Sequence, residues 1–352
     1  MAAMVGIPYH TVVLAAAVPS LLFYWGLLVQ ADAYAAKVGM KGLPKEEIPS
    51  LMGVIKKAWP LLAVLFFLIY GLVVMQLEYT TPYYATVMLL VLSFTNREIM
   101  LTPKKFVDSL FVSGKVITIT LNILVPAGMV ISAIEITGVG AAFASGVLGV
   151  GGGSLFMIMI LGVMACYVMG MAGLIISAYI FLAVTMAPAM IAAGGLNDVA
   201  VHLFIMYYVL IAFITPPVAP AAFIASAVAG SKPLQTGLTC MRLGIVLYFV
   251  PFFFVFNPAL ILQGPLFETI YLIIFCLVGI LILAGGLEGY LLWVGKLNIW
   301  SRPLLVISGF LIAFPQIPTT IIGVLIGGLV IAILMRKKGS KAEEPLTSDT
   351  LP

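Results

Sequence analysis

The run Ile211-Ala212-Phe213-Ile214-Thr215-Pro216-Pro217-Val218-Ala219-Pro220 decides the fold. It sits in a long apolar region: from Ser154 to Gly230 the only formal charge is Asp198. A stretch this apolar belongs in hydrocarbon, where each unpaired backbone N–H or C=O costs several kcal/mol. Pro216 and Pro217 have no N–H to donate. A proline also steers the residue before it away from helical geometry. A helix must therefore break at Thr215, and such a break survives at membrane depth only where protein or a water-filled cavity satisfies it.

Composition agrees with that placement. The chain has 352 residues, of which 63% are hydrophobic and 9% charged, and its mean hydropathy is +1.22. Soluble domains run at about 45–50% apolar and about 25% charged. A soluble globule, a disordered chain and a coiled coil are excluded, which leaves a polytopic membrane protein. A span takes about 20 residues, so the length holds at most roughly ten spans. The net charge of +4 is scattered, with no basic stripe interleaved with aromatics, which argues against nucleic-acid binding. Cys166, Cys240 and Cys276 lie in apolar stretches without CxxC spacing, so neither a disulfide framework nor a zinc site is expected. No serine, histidine and acid constellation marks an intramembrane hydrolase, and the chain is not read as an enzyme. Gly149–Ser154 lacks the Gly-Lys-Ser/Thr ending of a phosphate loop.

Charged breaks between apolar runs set the layout. Residues 1–102 read as scaffold and connecting spans, at Thr11–Gln30, at Trp59–Leu77 and at a short span ending at Phe94. Residues 103–137 read as an interfacial amphipathic helix carrying Lys104, Lys105, Asp108 and Lys115, followed by a span entered near Val116. Residues 138–230 hold the glycine-rich stretch and both interruptions, at Gly170–Gly173 and at Thr215-Pro216-Pro217. Residues 231–335 hold the C-terminal spans, about Met241–Leu262 and Leu266–Ala284, then an amphipathic arm from Glu288 to Arg302 and an apolar stretch broken at Pro315 and Pro318. Residues 336–352 form a polar tail opened by Arg336-Lys337-Lys338, which reads as a cytoplasmic anchor.

The positive-inside rule assigns Lys37–Lys57, Arg97–Lys115, Lys232 with Arg242, Lys296 with Arg302, and the tail to the cytoplasm, with the N-terminus outside. An even number of crossings must then separate Lys115 from Lys232. Ser154–Ala193 as a re-entrant hairpin tipped near Gly170, with Val199–Ala229 as one helix broken at Thr215, satisfies this. Four ordinary spans also do, but they leave both breaks unexplained. The expected fold is all-α and polytopic, with about seven to nine transmembrane segments, one re-entrant helical hairpin and one discontinuous helix.

Both breaks carry chemistry. Carbonyls freed before Pro216, with the Thr215 hydroxyl, form an oxygen cluster suited to a hard cation such as Na⁺. The helix that follows turns its positive end to the same place, which suits an anionic group. Gly170-Met171-Ala172-Gly173 offers a second irregular loop, and Ser177 adds a hydroxyl about a turn later. Broken helices meeting around ion and substrate are the pattern of a secondary transporter. The plainer alternative stays open, that prolines and small residues only shape helix packing. Glu135 reads as a helix-end glutamate reaching the interface rather than a proton-coupling carboxylate. Asn197 and Asp198 read as a helix cap, and His202 as interfacial.

Specific residues then point to a family. Ala178-Tyr179-Ile180-Phe181-Leu182-Ala183-Val184, Ala187-Pro188-Ala189 and His202-Leu203-Phe204 resemble the large membrane subunit of tripartite ATP-independent periplasmic (TRAP) transporters, in its TAXI branch. So do Ala212–Ala219 with Ala221-Ala222-Phe223, Arg242-Leu243-Gly244, Val250-Pro251-Phe252 and Phe256–Leu260. The resemblance implies a permease of the inner membrane. It would work with a periplasmic substrate-binding protein and import a small organic anion, such as a dicarboxylate or an amino-acid-like acid. The driving force would be an ion gradient, usually Na⁺ and otherwise H⁺, with no further cofactor, and a mobile transport domain would move as an elevator. By motif, Thr215, Pro216 and Ala219 match the ion-site loop, and Gly170 and Met171 join them as ion-binding candidates at the hairpin tip. Ala172, Gly173, Ser177 and Pro217 are the substrate-binding candidates. The family tip reads Gly-Met-Gly-x-Pro-Thr-Thr. Here it is Gly170-Met171-Ala172-Gly173-Leu174-Ile175-Ile176-Ser177, so the proline and both threonines are absent and Ser177 supplies the remaining hydroxyl.

Inverted-repeat transporters need two hairpins and two broken helices, and the sequence shows one copy of each. The expectation is that the chain is the C-terminal half of a fused TAXI-type permease, with the N-terminal half supplied by a separate chain or a missing segment. A self-contained secondary transporter, and a structural or vestigial membrane fragment without transport, are the alternatives.

Overall fold

Backbone in hydrocarbon can pair only with itself or with other protein, and helices do this within one segment. The computed structural model describes residues 1–42, 44–94, 102–138, 146, 149–152, 154–171, 175–216, 219–292 and 294–342. In chain order its helices are α1 (Ala2–Val5), α2 (Tyr9–Val38), α3 (Leu51–Val73), α4 (Thr81–Ser93), α5 (Pro103–Thr137), α6 (Leu155–Met171) and α7 (Ile175–Gly194). They continue as α8 (Asp198–Ile211), α9 (Pro220–Ala229), α10 (Pro233–Leu243), α11 (Val246–Phe256), α12 (Leu266–Glu288), α13 (Ser301–Ala313) and α14 (Ile317–Ala342). The sheet among the described residues is one hairpin, β1 (Tyr290–Leu291) antiparallel to β2 (Gly295–Lys296). Among the described residues five helical stretches are long and apolar enough to span a bilayer: Tyr9–Val38, Leu51–Val73, Pro233–Phe256, Leu266–Glu288 and Ile317–Arg336. Shorter apolar helices accompany them, and the protein is an all-α polytopic membrane protein.

Helix starts follow the local sequence. Ser50 Oγ accepts from the Gly53 N–H at 3.2 Å, and Asn197 Oδ1 accepts from the Ala200 N–H at 3.1 Å. Each satisfies one of the amides that a helix start leaves without a partner. The Ser50 cap starts α3 eight residues earlier than the expected Trp59, so Lys56 and Lys57 ride on the helix rather than in a loop. α5 runs unbroken through Val116 for 35 residues, about 52 Å at 1.5 Å per residue. The expected amphipathic arm differs from expectation. Gly289 takes φ 78° and ends α12, and the chain turns through the β1–β2 hairpin before α13. The last apolar stretch is two helices, parted at Phe314–Gln316.

The chain divides into two compact units, Met1–Ala15 with Gly42–Ala212, and Ala16–Lys41 with Phe213–Pro352. In the first, α6, α7 and α8 pack together around Ile158, Met159, Leu182, Met186, Met190, Leu203 and Phe204, all buried. In the second, α12, α13 and α14 pack in series. Glycines bring their backbones close, since a Cβ at Gly309 would lie 2.5 Å from the Gly279 carbonyl oxygen and one at Gly323 would lie 2.7 Å from the Ile312 nitrogen. Small residues at helix contacts are how membrane helices gain van der Waals packing without a hydrophobic drive. The Ser308 hydroxyl donates to the Gly323 carbonyl at 2.7 Å across the same contact. Phe253 stacks edge-on with Phe310 and Phe314, which seats α11 on α13.

Candidate ion site at the broken helix

α8 stops at Ile211 because the next turn loses its donors. Pro216, Pro217 and Pro220 would have bonded the carbonyls of Ala212, Phe213 and Pro216 in a regular helix, and none has an N–H. The chain repairs part of the loss. The Ala221 N–H reaches back to the Phe213 carbonyl at 3.1 Å, and the Ala219 N–H reaches the Thr215 carbonyl at 3.2 Å. Ala219 closes the turn at φ 33°, in the left-handed region, and is itself buried. For a residue with a Cβ that conformation costs about 1–2 kcal/mol. Such strain persists where the surroundings fix it, and it is concentrated at functional sites.

The second unit holds this turn from several sides. Thr215 is 6% exposed, and its hydroxyl lies 3.2 Å from the hydroxyl of Tyr248 on α11. The Pro216 ring rests on α10, where a Cβ at Gly237 would lie 2.8 Å from Pro216 Cγ. Ile214 rests on Gly244 at the α10–α11 junction, where a Cβ would lie 2.7 Å from Ile214 Cδ1. α9 then starts at Pro220 with no side-chain cap, so its positive end faces the turn without a neutralising side chain from its own cap residue. Thr215, Pro216 and Ala219 thus share one turn that combines a buried hydroxyl, bent backbone carbonyls and a helix N-terminus.

The hairpin candidates lie in the first unit. α6 ends with Gly170 and Met171, and α7 begins at Ile175. Gly170 is buried against α8, where a Cβ would lie 2.9 Å from the Val209 carbonyl oxygen and 2.9 Å from Ala212 Cβ. Only glycine allows that approach. Ser177 stands in the first turn of α7. Ala172, Gly173 and Pro217 lie outside the described residues.

Two features escaped the sequence. Tyr248 is 33 residues from Thr215 in an otherwise apolar helix, and no spacing rule links them. His202, expected at an interface, is 7% exposed within the first unit, and its Nδ1 lies 3.0 Å from the Tyr179 hydroxyl. The packing of α7 on α8 encloses the pair, so each polar atom replaces water with the other.

Comparisons with known proteins agree with the helical layout. No curated protein and no solved structure matches the chain. The family model described as "Tripartite ATP-independent periplasmic transporter, DctM component" matches residues 1–270. That match covers most of the 352 residues, including the Thr215 break and α6–α11, so the chain belongs to the DctM family, the large permease component of TRAP transporters.

Proposed function

We propose that this permease component couples import of a small organic anion to an ion gradient, with the coupling cation held at the Thr215 turn. The observation that carries the reading is the turn itself. Inside an apolar region it keeps a buried threonine hydroxyl beside a second hydroxyl, amid carbonyls whose helical donors are missing, and it spends backbone strain at Ala219 to do so. Hydroxyl and carbonyl oxygens at a broken helix suit Na⁺. The Thr215 hydroxyl and the Pro216 carbonyl are the proposed ligands, with Ala219 fixing the turn. The start of α9 favours an anionic substrate group. Gly170 and Met171 are the proposed hairpin contribution to ion binding, and Ala172, Gly173, Ser177 and Pro217 the proposed contribution to substrate binding.

Members of this family work with a periplasmic substrate-binding protein and a small component. The proposed partners of this chain are such a binding protein and the N-terminal half of a TAXI-type permease, in an inner membrane, with the N-terminus outside, the C-terminus in the cytoplasm and an elevator movement. Proteoliposome uptake tests the reading. The chain with its membrane partner and binding protein should accumulate a dicarboxylate or amino-acid-like acid only under an inward Na⁺ gradient. Gradient-independent uptake would refute coupling. Uptake by the chain and binding protein alone would refute the need for a second half.

A further inference from the structure

The C-terminus of α12 is wrapped in cations. Arg302 Nε donates to the Gly286 carbonyl at 3.1 Å, Arg302 Nη2 donates to the Leu287 carbonyl, and Lys37 Nζ donates to the Glu288 carbonyl at 2.8 Å. A helix C-terminus favours such partners. Capping accounts for only some of their donors, since a guanidinium has five N–H groups and an ammonium three. A cleft of about 330 Å³ opens beside them, lined by Tyr34, Lys37, Lys296, Leu297 and Arg302 among others. Three cations line it and, among the described residues, no acidic side chain does. The neighbouring carboxylate, Glu288, is fully buried and is paired outside the lining with Arg242, whose Nε lies 3.5 Å from Glu288 Oε1. The Lys296 side chain, on β2, makes no hydrogen bond or ion pair among the described residues, and the residue is exposed.

The chain between the lining residues Leu297 and Arg302 is apolar and aromatic in part. Ile299 is 89% exposed, Trp300 next to it in sequence is exposed, and Val38, itself in the lining, is exposed too. Cations, a tryptophan and an outward isoleucine on one edge of a membrane bundle are the makings of a headgroup-level contact. Lys37, Lys296 and Arg302 are among the cations that the positive-inside rule assigns to the cytoplasmic side, where anionic lipids give the surface its negative potential.

We propose that this cleft binds the phosphate of an anionic phospholipid. Lys37, Lys296 and Arg302 hold the phosphate oxygens, and Ile299 and Trp300 lie against the glycerol and upper acyl chains. The lipid joins the end of α2 to the β1–β2 hairpin and the start of α13. The substrate and ion assignments play no part in this site.

The test is native mass spectrometry of the purified full-length chain, titrated with phosphatidylglycerol, phosphatidylcholine and inorganic phosphate. The expected result is retained phosphatidylglycerol at a stoichiometry of one, with phosphatidylcholine and inorganic phosphate released at the same concentrations. Lys296→Gln should bind phosphatidylglycerol about fivefold more weakly, since a basic residue at an anionic surface is worth about that factor, and Lys296→Arg should restore binding. Lys296 caps no carbonyl, so both variants should keep the wild-type melting temperature. Equal retention of phosphatidylglycerol by wild type and Lys296→Gln would overturn the proposal, as would equal retention of phosphatidylcholine. Retention of inorganic phosphate in its place would make this a soluble-anion site and overturn the lipid assignment.

Discussion

The hydroxyl of Thr215 lies 3.2 Å from the hydroxyl of Tyr248, across 33 residues of chain. One hydroxyl sits in the proline break and the other in the first turn of α11, so the pair ties the irregular turn to a helix of the same unit. Tyr248→Phe should leave the fold intact and loosen the Thr215 side chain. One hydrogen bond is worth about 0.5–1.5 kcal/mol, so the Na⁺ concentration for half-maximal uptake should rise by about two- to tenfold. Uptake measured against Na⁺ concentration checks it, and an unchanged curve would remove Tyr248 from the site.

Gly237 is where the break leans on α10. A Cβ there would come 2.8 Å from the Cγ of the Pro216 ring, and a ring carbon has little freedom to withdraw. Gly237→Ala should therefore displace the turn and cost about 1–3 kcal/mol, the usual penalty for overpacking. Thermal unfolding in detergent reads the stability loss, and the Na⁺ curve should shift in the same variant.

The break was legible in the sequence because it rests on local covalent facts. Three prolines within five residues remove amide donors wherever the chain goes. The cap at Asn197 was legible for the same reason, as a side chain three residues from the amide it satisfies. Partners distant in sequence were not legible. Tyr248 reaches Thr215, and Lys37 reaches the Glu288 carbonyl, only through helix packing. The region from Glu288 to Arg302 read as an amphipathic arm between two apolar stretches. Gly289 and Gly295, at φ 78° and 98°, turn it into a hairpin instead. His202 read as interfacial because Tyr179, its partner, lies on a different helix.

The pair Arg242–Glu288 should behave asymmetrically. Glu288 is fully buried, while the Arg242 side chain is 44% exposed. Arg242→Ala leaves a buried carboxylate without its counter-charge, which should cost about 1–3 kcal/mol. That is below the about 3–5 kcal/mol of a wholly buried pair, because solvent already screens the guanidinium. The double variant Arg242→Ala with Glu288→Gln should recover most of the loss, since the uncompensated charge is gone. A double-mutant cycle on chemical or thermal unfolding measures the coupling.

Gly309 marks a close backbone approach in the second unit. A Cβ there would lie 2.5 Å from the Gly279 carbonyl oxygen and 2.5 Å from the Leu283 nitrogen, and both are main-chain atoms of a helix. Gly309→Leu should part α12 from α13 and cost at least about 3 kcal/mol, the top of the overpacking range. The yield of folded protein on size-exclusion chromatography checks this, and a monodisperse wild-type profile would contradict the packing.

Direct Na⁺ binding to the purified permease tests the central assignment most closely. Wild-type protein should bind Na⁺ saturably, and Thr215→Ser, which keeps the hydroxyl, should bind with similar affinity. Thr215→Val keeps the shape and loses the oxygen. Its affinity should fall at least about tenfold, the equivalent of about 1.4 kcal/mol, while stability falls only by about the 0.5–1.5 kcal/mol of the lost hydrogen bond to Tyr248. Equal Na⁺ affinity in wild type and Thr215→Val would contradict a cation site at the broken helix.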